Sequence, residues 1–231
     1  MLKNEVLSEK AKVFVKKNKK LIIEKFASLE KFPAKENPFS IFMAGSPGAG
    51  KTEFSKAIIN SFSDAIRVDP DEIRNILPGY VGGNAFLFQG ASSLGVEKIY
   101  DSVLKNKQNV ILDGTMSNYS ASLKNIQRSI RKNRKVGIFY IYQDPVLAWE
   151  FTKKREFLEG RNIPKDSFVE SFFSAKDNVN KLKKIFDKEI KVFLVEKNFE
   201  NGVKNIFADI ENIDKYIKFG YSLRTLKKKL C

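Results

Sequence analysis

Residues 45–52 read GSPGAGKT, and this stretch decides the fold class. It matches G-x-x-x-x-G-K-[ST], the pattern of a phosphate-binding loop (P-loop) whose backbone amides surround phosphate oxygens. Glycines let the backbone turn sharply, and the following helix directs the positive end of its dipole at the same anion. Lys51 can bridge the β- and γ-phosphates, and the Thr52 hydroxyl can bind Mg²⁺. We therefore predict that ATP and Mg²⁺ are bound by Gly45, Ser46, Pro47, Gly48, Ala49, Gly50, Lys51 and Thr52.

Short apolar runs alternate with helix-like segments on both sides of the loop. The run directly before the loop, SIFMA at 40–44, is typical of a buried strand, and a helix is predicted from Lys51 to about Phe62. Alternating strands and helices favour a parallel sheet covered on both faces. The predicted fold is therefore an α/β fold, the three-layer α/β/α arrangement of P-loop NTPases, with a mostly parallel sheet. Its five strands are predicted at 40–44, 65–68, 109–112, 136–142 and 191–195.

The predicted core has a helical extension at each end. Residues 1–38 are predicted to form an N-terminal helical extension, with one amphipathic helix over 4–30. The kinase-like core is predicted over 39–199, with a helical lid at about 146–189, and a C-terminal helical extension over 200–231. The glycine-rich stretch 80–95 is predicted to be a loop.

Composition excludes several kinds of chemistry. The 231 residues contain no His and one Cys, Cys231, so a Ser-His-Asp triad, a His metal site and an internal disulfide are excluded. A general base must then be a carboxylate, Lys or Tyr. The net charge of +15 suits anionic ligands, although scattered lysines are more typical of a solvated surface. No apolar run is long enough to span a bilayer, and we expect a cytoplasmic protein.

A carboxylate and an arginine follow the second predicted strand. Residues 68–80 read VDPDEIRNILPGY, so Asp71 and Arg74 lie one helical turn apart on one face. Asp71 can accept the proton of an attacking hydroxyl, and Arg74 can hold that carboxylate or bind an acceptor phosphate. Asp69 is the competing base, ranked second because a residue at the strand end can cap the helix and support Asp71.

Two further stretches supply candidate side chains. Residues 110–118 read VILDGTMSN, in which Asp113 follows a buried strand and can bind Mg²⁺ through water or bind the acceptor. Thr115 and Asn118 are grouped with it as acceptor-binding candidates. Residues 152–164 read TKKREFLEGRNIP, in which Arg155 and Arg161 can neutralise the γ-phosphate from a mobile lid.

Taken in order, these four motifs resemble the zeta toxin family of P-loop kinases over about residues 40–190. The resemblance implies an ATP-dependent kinase that phosphorylates the amino-sugar 3′-hydroxyl of UDP-N-acetylglucosamine, and an antitoxin partner. It implies that Lys51 and Thr52 bind ATP and Mg²⁺, and that Asp71 is the base. It also implies that Asp113 and Thr115 bind the acceptor, and that Arg155 and Arg161 contact the transferred phosphate. Better-known members have Glu-Gly-Thr where this chain has Asp113-Gly114-Thr115.

Three alternatives remain open from the sequence. A polynucleotide 5′-kinase also combines a P-loop with D-x-x-R, and its nucleic-acid acceptor would suit the positive charge, although no basic-aromatic stripe is evident. Another small-molecule P-loop kinase is a further alternative of the same class. A nucleotide-dependent switch without catalysis belongs to a different class, and a GTPase would need Asn-Lys-x-Asp after a strand. The nearest string, 106–109, reads NKQN and precedes a strand.

Overall fold

The computed structural model describes residues 2–62, 64–198 and 202–230. Cys231 and the predicted boundary between residues 199 and 200 lie outside the described residues. Within the described ranges, no helix has the length and hydropathy of a membrane span. The division into a core and two extensions remains a prediction.

A single mixed sheet organises the described residues, and its strand order is β2-β3-β1-β4-β5-β6. The first five strands pair in parallel, which confirms the predicted α/β class, and β6 is antiparallel to β5. The strands are β1 (Phe39–Ala44), β2 (Ala65–Val68), β3 (Asn109–Leu112), β4 (Lys135–Tyr142), β5 (Ile190–Asn198) and β6 (Gly202–Phe207).

The prediction of a five-stranded sheet with a wholly helical C-terminal extension is wrong at β6. Gly202–Phe207 pairs with β5 as an edge strand, and most of its residues are exposed. Because an edge strand has solvent on several sides, its sequence lacks the apolar run that identifies a buried strand. Antiparallel pairing was therefore not visible in the hydrophobic pattern.

Helices cover both faces of the sheet. Successive residues of a strand point to opposite faces, so Ile41 and Met43 pack towards α3, while Phe42 and Ala44 pack into the larger cluster on the other side. The helices are α1 (Leu2–Lys17), α2 (Lys19–Ala27), α3 (Lys51–Ser61), α4 (Pro70–Asn75), α5 (Gln89–Lys105), α6 (Tyr119–Ile130), α7 (Pro145–Glu159), α8 (Lys165–Phe186) and α9 (Leu223–Lys229).

Two helical predictions need correction. The predicted single helix over 4–30 is two helices with a break at Asn18, whose side-chain amide donates to the Phe14 carbonyl 2.9 Å away. Such a side-chain hydrogen bond competes with the helical backbone ladder. The predicted loop 80–95 is helical from Ala85 onwards, as a 3₁₀ turn and then α5. Glycines concealed the start of α5 from the sequence pattern.

Candidate nucleotide and acceptor site

The carboxyl ends of the parallel strands border one cavity of about 620 Å³. This is the edge at which ligands bind in open α/β sheets. The cavity brings together the P-loop, the start of α4, the residues after β3 and the second half of α7. Most of the site residues predicted from the sequence line this cavity. They are Pro47, Gly48, Ala49, Gly50, Lys51, Thr52, Asp71, Arg74, Asp113, Thr115, Arg155 and Arg161.

Hydrogen bonds and a left-handed glycine fix the conformation of the P-loop. Gly45, at φ 131°, donates its backbone N–H to the Thr115 carbonyl 3.2 Å away, which ties the loop to the segment after β3. The buried Ser46 accepts a hydrogen bond from Lys51 Nζ through its carbonyl at 2.6 Å. Gly50, at φ 84°, forms the N-cap of α3 in the left-handed conformation that glycine adopts without strain.

Lys51 lies in a strongly positive environment. Burial lowers the pKa of Lys51 to about 8, the Asp113 carboxylate opposes that shift, and the positive charges of Arg155 and Arg161 add to it. The negative charge of a phosphate in the loop would raise the pKa of Lys51 and so favour its charged form. The loop is therefore electrostatically prepared for an anion.

The helix carrying Asp71 begins at the end of β2. Asp69 caps α4 by accepting the Asp71 backbone N–H at 2.8 Å, and Pro70 occupies the first helical position. This is the supporting arrangement expected for Asp69. Arg74, one turn further on and 2% exposed, donates to Asp71 Oδ1 at 2.5 Å and to Gln89 Oε1 at 2.9 Å.

Both lid arginines reach Asp71 from α7 and the segment after it. Arg161 donates to Asp71 Oδ2, and Arg155 lies 3.5 Å from the same oxygen. Burial alone would raise the pKa of Asp71, but the charges of Arg161, Arg74 and Arg155 outweigh it and hold that pKa below its ordinary value. The carboxylate is therefore ionised at neutral pH.

Asp113 belongs to a buried polar cluster next to the P-loop helix. Its Oδ2 accepts hydrogen bonds from Ser55 Oγ and from Arg67, both at 2.9 Å. Arg67 also donates to Asp69 at 2.8 Å and to Glu72. Burial, with the charge of Asp69, raises the pKa of Asp113, whereas Ser55, Lys51 and Arg67 oppose the rise.

Sequence reasoning missed Arg67, which joins the two strand-end carboxylates. The signal was present, because residues two apart on a strand share a face, and Arg67 precedes Asp69 by two. The short run AIRV hid it, since an arginine inside an apolar strand is more easily taken for an interruption than for a buried ion pair.

Thr52 and Asp113 are compatible with a magnesium–nucleotide complex. Both line the cavity, and within the described ranges no cluster of three or more acidic, His or Cys side chains could hold a metal by itself. Mg²⁺ in nucleotide sites takes one or two protein ligands and completes its shell with phosphate oxygens and water. This donor set fits a metal that enters with ATP.

The acceptor-binding candidates separate in the structure. Thr115 lines the cavity, and its hydroxyl lies 2.7 Å from that of Ser117. Asn118 is exposed and is not among the lining residues, because its side chain caps α6 by accepting the Ala121 backbone N–H at 3.0 Å. The structure thus assigns Asn118 a capping contact instead of a place in the cavity.

The cavity has further walls that the sequence did not indicate. Phe151, Leu158 and Ile163 form an apolar side beside the lid arginines. Gln143, the residue after β4, is 4% exposed, and its Oε1 has no hydrogen-bond partner among the described residues. Lys197, near the end of β5, also lines the cavity. These residues follow strands or lie on a helix, so only the assembled sheet brings them together.

Helix α7 packs against both the P-loop and the 80–84 loop. A Cβ added to Gly48 would collide with the Ala148 carbonyl, so the first half of α7 packs directly on the loop. The helix ends at Gly160, which has φ 70°. A Cβ on Gly82 would collide with the Glu159 carbonyl, which shows that the 80–84 loop closes against the end of this helix.

Comparison with known proteins gives a consistent family and fold. A profile of the family described as zeta toxin matches residues 23–209. A search of curated proteins finds no match.

Many solved structures are similar to this chain, among them the following three. One is from the PezAT chromosomal toxin–antitoxin system of Streptococcus pneumoniae, with a TM-score of 0.67, 16% identity, and coverage of 96% of this chain and 93% of that chain. A second is the native AvrRxo1-ORF1:-ORF2 complex, with a TM-score of 0.61, 15% identity, and coverage of 92% and 70%. A third is AvrRxo1-ORF1:-ORF2 with ATP, with a TM-score of 0.59, 16% identity, and coverage of 89% and 64%. At these identities the likeness concerns the fold.

Proposed function

This chain belongs to the zeta toxin family, and on that premise we propose that it transfers the γ-phosphate of ATP to a hydroxyl of UDP-N-acetylglucosamine. Family membership makes the chain an ATP-dependent kinase with a P-loop. The nucleotide-sugar acceptor, Mg²⁺ and the roles of individual residues are parts of the proposal.

One observation carries the proposal, namely that the P-loop and Asp71 line the same cavity. A kinase needs a nucleotide phosphate and an acceptor hydroxyl side by side, with a proton acceptor next to the hydroxyl. The cavity provides the phosphate-binding backbone at Gly48–Thr52 and an ionised carboxylate at Asp71. In the proposal, the acceptor alcohol binds in this cavity.

The proposed reaction uses the side chains in the positions described. Asp71 orients the acceptor hydroxyl and takes its proton as the bond to the γ-phosphorus forms and the bond to the β-γ bridging oxygen breaks. Lys51, Arg155 and Arg161 stabilise the charge that develops on the transferred phosphoryl group and on the ADP leaving group. Thr52 and Asp113 would hold Mg²⁺, which when bound would neutralise part of the phosphate charge.

The lid arginines have two anionic partners in this scheme. They contact the Asp71 carboxylate, whose positively charged surroundings include Arg74 as well. A triphosphate carries more negative charge than one carboxylate, so we propose that Arg155 and Arg161 turn to the phosphate when ATP binds. Arg74, buried beneath Asp71, would then remain to orient the base.

The experiment measures phosphate transfer from γ-labelled ATP into UDP-N-acetylglucosamine, other nucleotide sugars, nucleosides and a 5′-hydroxyl oligonucleotide. We expect labelled UDP-N-acetylglucosamine, with transfer by Asp71→Asn reduced by several orders of magnitude while ADP still binds. Lys51→Ala should lose activity together with nucleotide affinity. Preferential labelling of the oligonucleotide would establish the polynucleotide 5′-kinase alternative instead, and labelling of a nucleoside another small-molecule kinase.

A role as the toxin of a toxin–antitoxin pair is the second part of the proposal. Its support is the family and the similarity to structures from the PezAT system and the AvrRxo1-ORF1:-ORF2 complex. Expression of the wild-type chain alone should stop bacterial growth, and expression of Asp71→Asn should not. Equal growth with both chains at equal protein levels would contradict this role.

A further inference from the structure

Lys197 reaches the P-loop from the far strand of the parallel set. It lies next to the last residue of β5, which pairs with β4, which in turn pairs with β1, the strand that leads into the loop. A Cβ added to Gly50 would collide with the Lys197 ammonium and would lie 3.1 Å from Cδ and 3.2 Å from Cε. The lysine stem therefore lies along Gly50, with its charge at the loop.

This ammonium has no anionic partner within the described residues. No carboxylate lies within 4.0 Å of Lys197 Nζ there, and its neighbour Glu196 instead accepts from Lys204 at 2.9 Å and Asn205 at 2.7 Å. Gly50 is the N-cap of α3, so Lys197 also approaches the positive end of a helix dipole. Lys51, the next residue, adds a second positive charge.

Such an arrangement is electrostatically unfavourable unless an anion lies between the charges. The dipole of a helix disfavours a cation at the helix N-terminus. The unfavourable terms become favourable when a phosphate binds, because the amides of the loop, Lys51 and Lys197 then share one negative ligand. The same cavity holds all of these groups.

We propose that Lys197 is a second cationic ligand of the nucleotide phosphates, acting on the α- or β-phosphate. This inference rests on the proposed function, in which the P-loop holds ATP. Loop backbone amides surround the α- and β-phosphates, and Lys197 approaches the loop at Gly50. A contact to these phosphates is common to ATP and ADP, so Lys197 strengthens nucleotide binding more than it accelerates transfer.

The test compares ADP binding by the full chain and its variants, measured by isothermal titration calorimetry at low and physiological salt. Lys197→Gln should weaken ADP and pyrophosphate binding roughly tenfold, as expected for the loss of one charge-assisted contact. Lys197→Arg should retain most of the affinity. The matched control is Lys191→Gln, which removes the same charge from the other end of β5, where the side chain is 65% exposed.

The ADP affinities of the two glutamine variants decide whether Lys197 binds the nucleotide. Unchanged ADP affinity in Lys197→Gln overturns the proposal, and so does an equal loss in Lys191→Gln, which would indicate only the general positive field. With an acceptor, KM for ATP should rise more than kcat falls, and the reverse would place Lys197 in the transfer step. A thermal midpoint of the variant well below that of the wild type would mark damage to the fold, and Lys197→Arg then becomes the deciding comparison with Lys191→Gln.

The binding assay also separates this inference from the proposed function. Absence of phosphate transfer to every acceptor would contradict the proposed function but would leave the ADP measurements intact. Normal transfer with unaltered ADP binding in Lys197→Gln would contradict only the role of Lys197.

Discussion

The pKa of Asp71 reflects two opposing effects, its burial and the charges of the neighbouring arginines. Burial raises the pKa of this carboxyl, whereas Arg161, Arg74 and Arg155 lower it by a larger amount in total. A base with a lowered pKa is a weak one, which suits phosphoryl transfer, because a loose transition state needs little proton abstraction before the leaving group departs. In the proposed reaction, positioning of the acceptor is then the main contribution of Asp71.

The pH dependence of catalysis should reveal this balance when Arg161 is replaced by Met. Arg161 makes the largest opposing contribution, so its loss lets burial raise the Asp71 pKa. A raised pKa means that more of the base is protonated as pH falls. We expect the ratio of kcat/KM for the variant to that for the wild type to decrease as pH falls from 8 towards about 4, the ordinary pKa of an Asp carboxyl, in addition to a pH-independent loss.

The control for this profile is Arg128→Met, which breaks an ion pair with Asp101 away from the cavity. Its ratio to the wild type should stay level over the same range, and protonation of ATP itself cancels in both ratios. A level ratio for the Arg161 variant would mean that Arg161 does not set the Asp71 pKa.

Gln143 provides a test at a buried amide. Its Oε1 has no partner within the described residues, and an unsatisfied buried polar atom costs about 1–3 kcal/mol. Gln143→Met has a similar volume and removes that cost, so we expect the free energy of unfolding in urea to rise by about 1 kcal/mol. The stabilisation produced by ADP and an acceptor should fall, because the amide lines the cavity.

Gln108→Met should instead lower the free energy of unfolding, although Gln108 Oε1, like Gln143 Oε1, has no hydrogen-bond partner among the described residues. The Gln108 amide nitrogen donates to the Ala27 carbonyl at 3.1 Å and to the Phe32 carbonyl at 2.7 Å, so Gln108→Met leaves two carbonyls without that donor. Lower stability of Gln143→Met than of the wild type would show that the Gln143 amide is satisfied.

At the scale of elements, the correct predictions came mostly from local sequence patterns. The P-loop, its strand β1 and its helix α3 form one continuous segment, so the pattern at 45–52 and its flanks identified all three. The D-x-x-R helix was found for the same reason. The sequence analysis did not identify Arg67, Gln143 and Lys197 as site residues. Each of them meets the rest of the site across neighbouring strands, and no local sequence pattern contains the order of the strands.

Helices α4 and α5 show how a glycine misled the sequence reading. Gly95 lies inside α5, where glycine normally destabilises a helix by about 1 kcal/mol relative to alanine. A Cβ there would lie 2.6 Å from Ile73 Cγ2 in α4, the helix that also carries Asp71 and Arg74. Gly95 is therefore required for close packing of the two helices.

This contact predicts the sign of a Gly95→Ala substitution. Helix propensity alone would stabilise the variant, but overpacking against Ile73 costs about 1–3 kcal/mol. We expect a lower urea midpoint and lower phosphate transfer, because α4 must shift. The control is Gly90→Ala in the same helix, where the added Cβ meets only the flexible Lys12 side chain at 3.0 Å, and stability should be equal or higher. A stabilised Gly95→Ala would show that α4 adjusts freely.

At the scale of the whole molecule, the N-terminal segment packs into the main core although it precedes the P-loop unit in sequence. Buried side chains of α1 and α2 belong to the same hydrophobic cluster as those of α5 and the sheet, and they are Ala11, Val15, Ile22 and Ala27. The proposed division at residue 38 therefore separates segments that share one core. The sequence predicted an amphipathic helix here, but its partner lay far along the chain.

Deletion of residues 1–38 tests whether this segment is an appendage. Val15 and Ile22 are 0% and 2% exposed, and each fully buried side chain of this kind stabilises a fold by about 1.5–3 kcal/mol. Domains have about 5–15 kcal/mol of total stability, so losing both side chains, and exposing the surface beneath them, should leave the 39–231 chain without a cooperative urea transition. The measurement is circular dichroism in urea, with and without ADP.

A shorter deletion isolates the effect of the buried residues. Removal of residues 2–10 takes away only side chains that are exposed or half-buried where described, so its urea midpoint should stay close to that of the full chain. If the 39–231 chain unfolds cooperatively at the full-chain midpoint and gains stability from ADP, then the segment does not support the core. In that case its packing against α5 adds little to the free energy of folding, and the P-loop fold is stable from β1 onwards.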